Sequence, residues 1–266
     1  PPRPRFPRLA PPDSDREDRR PIAANRAETR GLEEPRGGPR HQWVRQNKPY
    51  NYQAIEILDA LIQDDPDNPE IQAVRATCYW NLAAATMDED RSMAIDYRTM
   101  AIESLERLVE LHPDNSEYKY LLALACGLVL VPMDLDDLQL LDRGTVIIGQ
   151  LVDRHPSLLD YQHLHANLRI KQASYHLGNG QPDVAMKHLQ SARSSVIHLM
   201  ENVTTDRSLG ATIGMLQREL QELQSVYRQE GNLRRSHEIT SMIMQIRRSR
   251  NSDHPLDPPP PFQLRP

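Results

Sequence analysis

The sequence predicts an all-α protein, an α-solenoid of antiparallel helix pairs with about nine helices. Three observations lead there. One segment is written three times, as AIEILDALIQDDPDNPEI, AIESLERLVELHPDNSEY and GTVIIGQLVDRHPSLLDY. Its prolines, Pro66, Pro113 and Pro156, are spaced by 47 and 43 residues. Around them Ala54, Ala101 and Gly144 align, then Leu58, Leu105 and Ile148, then Leu61, Leu108 and Leu151. Ten residues past each proline stands Ala76, Ala123 or Ala166. Between residues 50 and 250 the apolar period is helical throughout. Aromatics are only 5%, with Phe6 and Phe262 near the two ends, so the core is built from aliphatic side chains that suit close-packed helices.

The elements follow in order. Residues 50–63 carry Ile55, Leu58, Leu61 and Ile62 on one face and break at Asp65-Pro66. Residues 70–86 carry Ile71, Val74 and Cys78 at i, i+3, i+7. After the acidic turn Asp88-Glu89-Asp90, a helix runs over 92–111 and stops before Pro113. Ser116 is the expected cap of the next helix, which extends to Val131. Helices over 138–154, 158–177, 182–201, 207–230 and 233–249 complete the array. Gly178-Asn179-Gly180 and Gly231-Asn232 supply left-handed C-caps, and Pro182 takes a first-turn position. Leu216, Leu220, Leu223 and Val226 form a seam expected to pack on Ala185, Leu189 and Ala192.

Of 22 prolines, 16 lie in residues 1–49 and 255–266. Those tails have few large apolar residues, so residues 1–49 read as a disordered Pro/Arg-rich arm or linker and 251–266 as a disordered Pro-rich tail. The net charge of −5 is split: residues 1–49 carry +5 and the rest −10. An acidic array repels phosphate, so nucleic acid is not the expected partner. The longest apolar run, Leu121 to Met133, is too short to span a bilayer. Pro1 opens a stretch without the apolar core of a signal peptide, and a cytoplasmic location is expected. The chain does not begin with Met, so a longer parent protein is expected. Cys78 and Cys126 sit in apolar runs and read as buried core thiols.

The spacing Ala54-Leu58-Leu61-Pro66, repeated as Ala101-Leu105-Leu108-Pro113 and Gly144-Ile148-Leu151-Pro156, resembles the second helix of a tetratricopeptide repeat. Ala76, Ala123 and Ala166 match the small residue of its first helix, where the two backbones approach closely. The likeness covers about residues 50–250. Two features depart from it. The aromatic near the start of the first helix is replaced by Gln72, Lys119 and Gln162, and the repeats are longer. The phrases LVELHPDNSEY and LVDRHPSLLDY are also similar to repeat arrays at the C-terminal end of planctomycete-type bacterial serine/threonine kinases. That resemblance implies an alternative role, as a regulatory segment of a larger signalling enzyme. No kinase phosphate loop, HRD or DFG is present.

The tetratricopeptide resemblance implies a non-catalytic scaffold that binds a peptide or partner helix on a concave face. That face would be lined by Glu70, Ala73, Thr77, Trp80 and Asn81, then Glu117, Tyr120 and Leu124, then Asp160, His163, Asn167 and Lys171. Lys171 is the one basic residue among them, so capture of a C-terminal carboxylate by a basic clamp is not expected. A mildly basic or apolar segment suits such a surface better. No catalytic residue, cofactor or metal is expected, because no HExxH, CxxC, GxSxG or GxxxxGK[ST] occurs. His163 and His165 are two apart and face different ways on a helix. His112 and His155 precede the repeat prolines and suit a helix C-terminus. The Arg247-Arg248-Ser249-Arg250 run reads as a solvated last turn.

Overall fold

The computed structural model describes residues 47–130, 132–202 and 207–252. The expectations for residues 1–46 and for 253–266 lie outside the described residues, as does Val131. Among the described residues there are nine helices and no strand. They are α1 (Lys48–Asp64), α2 (Pro69–Thr86), α3 (Arg91–Leu111), α4 (Ser116–Cys126), α5 (Leu135–Arg154), α6 (Leu159–Gly178), α7 (Pro182–Asn202), α8 (Arg207–Gln229) and α9 (Leu233–Ser252). Each packs on its neighbours in sequence, and α2 on α4, α6 on α8 and α7 on α9 add contacts between alternate helices.

The three proline turns share one construction. The backbone N–H of Asp65, His112 and His155 donates to the carbonyls of Leu61, Leu108 and Leu151 and closes the helix before each proline. Asn68 and Asn115 then open α2 and α4, each accepting two backbone N–H groups on its side chain. The expected cap Ser116 is therefore corrected to Asn115, with Ser116 as the first helical residue. Leu158 opens α6 with no side-chain cap, because no acceptor stands there. The His112 and His155 rings lie edge-on to Tyr118 and Tyr161, at 5.8 and 6.2 Å between centroids. Gln72 and Gln162, which replace the aromatic of the resembled repeat, donate to the carbonyls of Pro66 (2.6 Å) and Pro156 (3.3 Å).

Helix α4 ends at Cys126, five residues before the expected end. A Cβ on Gly127 would lie 2.4 Å from Leu168 Cδ2, so α6 comes within contact of the chain here. Leu128, Val129 and Leu130 leave the helix yet stay buried, and Arg98 donates to the Leu128 carbonyl at 3.0 Å. Helix α5 starts three residues earlier than expected, because Asp134 and Asp137 form a reciprocal capping box. Gly180 and Gly231 take φ of 67° and 73°, the left-handed conformation read from the sequence.

The core is aliphatic and falls into three clusters. One joins α2, α3 and α4 through Ala76, Ala101, Leu105, Leu108 and Leu122. A second joins α4, α5 and α6 through Ala123, Ile148, Leu151 and Leu168. The third holds α6 to α9 together and contains Ala185, Leu189 and Ala192 against Leu216, Leu220 and Leu223, the seam expected from the sequence. Cys78 and Cys126 are buried free thiols, and burial pushes the Cys126 thiol up to about 11. No described helix is long and apolar enough to cross a membrane.

Candidate functional site

The residues expected on one binding face have different fates. Glu70, Glu117 and Asp160 stand in the first turns of α2, α4 and α6, four residues past each repeat proline. The period therefore builds an acidic ladder across three successive repeats. It sits at helix N-termini, where the backbone dipole favours negative charge. Tyrosines fill the spaces between its rungs. The Tyr120 and Tyr161 rings meet at 5.4 Å between α4 and α6. Glu117 is half-buried, and burial together with the neighbouring Glu70 carboxylate holds its carboxyl above the ordinary carboxylate range. Burial, Glu117 and Asp160 likewise raise the Tyr161 hydroxyl. Burial, Glu70 and Glu117 raise that of Tyr118. These carboxylates and phenols thus share one electrostatic environment.

The other expected contacts are corrected by the packing. Trp80 is only 4% exposed and belongs to the core of α2 to α4. Ala73 is buried in the same core. Thr77 donates back to the Ala73 carbonyl, and Asn81 donates to Asn51 on α1 at 3.4 Å. Asn167 is 1% exposed. The Thr212 hydroxyl donates to Asn167 Oδ1 at 3.1 Å, so it accepts from His163 Nε2 at 2.9 Å. Both residues are thus engaged by α8, which packs on α6 where an open face was expected. Lys171 donates to the Gly127 carbonyl at 2.9 Å, at the end of α4. Leu124 is half-buried between two of the core clusters. Glu70 is exposed, and Glu117, Asp160, Tyr120 and Tyr161 are partly buried.

Sequence reasoning missed a polar seam between α5, α6 and α7. His165 Nδ1 lies 2.9 Å from Ser195 Oγ, a spacing that suits a base and a nucleophile. The tautomer decides against that role. Arg169 Nε donates to His165 Nε2 at 3.3 Å, so the ring proton sits on Nδ1 and the Ser195 hydroxyl accepts it. Burial and the Arg169 charge pull the His165 ring down to about 4, so it is neutral at pH 7. The seam continues through Arg169 to Gln172 and His188, and through Gln172 to Asp142 at 2.5 Å. Its geometry is that of a satisfied helix contact. Among the described residues no three His, Cys, Asp or Glu side chains converge as a metal-binding group.

Comparison with family models, with curated proteins and with solved structures gave no match. The resemblance to tetratricopeptide arrays therefore rests on this chain's own residues: the Ala/Gly, Leu and Pro register and the small residues at the helix crossings.

Proposed function

We propose that the chain is a tetratricopeptide-like solenoid and a non-catalytic interaction scaffold. Its acidic ladder, with Tyr120 and Tyr161, receives a Lys- or Arg-bearing segment of a partner protein. The observation that carries this reading is the recurrence of Glu70, Glu117 and Asp160 in the first turns of α2, α4 and α6, where burial and then Glu70 raise the Glu117 carboxyl. Three acids recur at repeat-equivalent positions, and two of them repel each other at a half-buried site. An Arg or Lys placed between them offsets that repulsion and stacks on tyrosine faces. Contacts between alternate helices, α2 with α4 and α6 with α8, support the stacked arrangement.

The test uses a labelled oligo-arginine peptide and the full chain at low and at physiological salt. Replacing Glu70→Gln, Glu117→Gln and Asp160→Asn together is expected to weaken binding at least about tenfold, roughly 1.4 kcal/mol. A control that neutralises two exposed acids of α3, Glu103→Gln with Glu110→Gln, is expected to change it far less. Equal losses in the two variants would reduce the ladder to general acidity and overturn the assignment.

A further inference from the structure

The first and last described helices each leave an apolar flank uncovered. Every helix between them packs on both of its neighbours in sequence. None of the residues of α1 is buried. Helix α2 covers one side of it, where Ile55 packs and Asp59 pairs with Arg75 at 2.9 Å. At 100° per residue Tyr50, Ala54, Ile57 and Leu61 line the adjoining flank. Tyr50, Ile57 and Leu61 are 67%, 63% and 44% exposed. At the other end, α8 holds α9 through Gln224, which donates to the Ser236 carbonyl and to Thr240. Helix α7 holds it through Gln190, which donates to Glu238 at 3.0 Å. Ile239, Met242 and Ile246 fill that inner side. Leu233, His237, Met244 and Arg248 line the outer side, at intervals of four, seven and four residues. Leu233 and Met244 are 63% and 51% exposed. An array whose ends stay apart carries polar outer faces there.

The two ends also differ in charge. Residues 48–111 hold 13 Asp and Glu against 5 Lys and Arg. The one cation of α1, Lys48, is paired with Glu89 at 2.5 Å, and Asp64 and Asp65 follow Leu61 at the end of the open flank. Residues 233–249 hold Arg234, Arg235, Arg247 and Arg248 against Glu238 alone. Glu238 is already paired with Arg235 at 3.1 Å.

We infer that the open face of α9 on one copy of this chain docks on the open face of α1 on another, head to tail. Both faces carry apolar side chains, so charge selects the pairing. Two α1 faces would bring acid to acid, and two α9 faces arginine to arginine. Placing α9 on α1 sets arginines beside Asp64 and Asp65 instead. The contact joins two different surfaces, so each copy keeps one face open and assembly continues past two copies. It covers one helix flank per copy, which makes it a small interface that dissociates on dilution. It uses no residue of the acidic ladder and stands apart from the proposed function.

Sedimentation velocity of the full chain is the test. The average mass is expected to rise with concentration past that of two copies at low salt, and to fall at high salt as the charges are screened. Tyr50→Gln with Ile57→Gln alters the α1 face, and Leu233→Gln with Met244→Gln the α9 face. All four positions are exposed, and glutamine is a good helix former. Each double variant alone is expected to associate at least about tenfold more weakly. Mixed in equal amounts, the two are expected to pair through the one intact α1 face and the one intact α9 face, and to stop at two copies. A chain that stays single at every concentration overturns the inference without any variant, as does a plateau at two copies. Undiminished association of the α9 variant would assign the contact to two α1 faces, and of the α1 variant to two α9 faces. A mixture no more associated than its components would place the contact elsewhere. Loss of association in the chain with Glu70→Gln, Glu117→Gln and Asp160→Asn would seat the arginines on the ladder. Each of these results overturns the head-to-tail contact.

Discussion

The Arg98 guanidinium is ion-paired with the Asp137 carboxylate inside the protein, across 39 positions of sequence. The two side chains are 7% and 0% exposed. Arg98 also donates to the Leu128 carbonyl, and Asp137 accepts from Arg91 at 3.3 Å and from the Asp134 backbone N–H. One buried pair thus ties α3 to the start of α5 and satisfies the non-helical segment between α4 and α5. Removing Asp137 leaves the Arg98 charge buried and unpaired, and removing Arg98 leaves the buried Asp137 to Arg91 alone; either costs far more than the pair contributes.

Arg98→Ala is therefore expected to lower the unfolding free energy by about 3–5 kcal/mol, read from urea denaturation. The neutral pair Arg98→Met with Asp137→Asn keeps the side-chain cap of α5 and is expected to recover more than half of that loss. A single substitution that leaves the midpoint unmoved would mean that Arg91 alone compensates Asp137.

Gly144→Ala distinguishes a close helix crossing from simple helix propensity. In an open helix this change is favourable by about 0.5–1 kcal/mol. Here the new methyl meets a backbone oxygen and a Cβ, both at 2.9 Å and neither able to rotate away. A net destabilisation of roughly 1–3 kcal/mol is expected, and Ala123→Leu on the facing helix is expected to cost a similar amount. Gly149→Ala, where an added Cβ meets nothing within 4 Å, is the matched control. If the two glycine variants melt alike, α4 and α5 do not cross as described.

Helix existence was legible in the sequence because the apolar period and the Pro, Gly and Asn punctuation are local signals. Gly144, the third member of the Ala54, Ala101 and Gly144 register, does sit at a close backbone approach. Errors arose where a partner from a distant helix decides the outcome. Nothing near Asn167 or His163 announces that Thr212, more than forty residues on, will engage both. Trp80 was placed on the open face by its repeat position, yet the α2 to α4 core claims it. The α4 end was misread because Leu128 to Leu130 are apolar enough to continue a helix; the buried Arg98 that accepts their departure lies thirty residues earlier. The acidic ladder was legible because it recurs with the period. The coupling of Glu70 to Glu117 needed three dimensions.

Gln72 and Gln162 test whether the departure from the aromatic pattern is structural. Each replaces an apolar contact with a hydrogen bond to its own turn, so Gln72→Ala and Gln162→Ala are each expected to cost about 0.5–1.5 kcal/mol. The two lie in different repeats with no shared partner, so their effects are expected to add. Thermal denaturation of the two singles and the double measures this. Marked non-additivity would show that the two turns are energetically linked.

Acid is expected to weaken the α6–α7 contact before it touches the carboxylate caps. His165 and His188 are both held down to about 4, mainly by burial and then by Arg169. His176 and Lys187 also push His188 down, while Asp142 opposes at His188 and Asp153 at His165. In the unfolded chain these rings take a proton near pH 6.5. Below that pH the unfolded state binds more protons than the folded one, so stability falls with falling pH. The histidine contribution is complete above about pH 6.5 and is lost progressively down to about pH 4. Asp134 behaves differently. The Asp137 backbone N–H lowers its carboxyl, so its contribution is intact above the ordinary carboxylate range and is lost only as the pH falls through that range toward the lowered value. Melting temperatures between pH 7.5 and 4.5 therefore read the histidines against the smaller, opposing contribution of the raised Glu117 carboxyl. The unaltered chain is expected to lose stability steadily across that window, and His165→Gln with His188→Gln to flatten the slope. The flattened slope should appear even if the double variant is less stable at pH 7.5, because neither glutamine titrates. A curve as steep in the double variant as in the unaltered chain would place the acid sensitivity elsewhere.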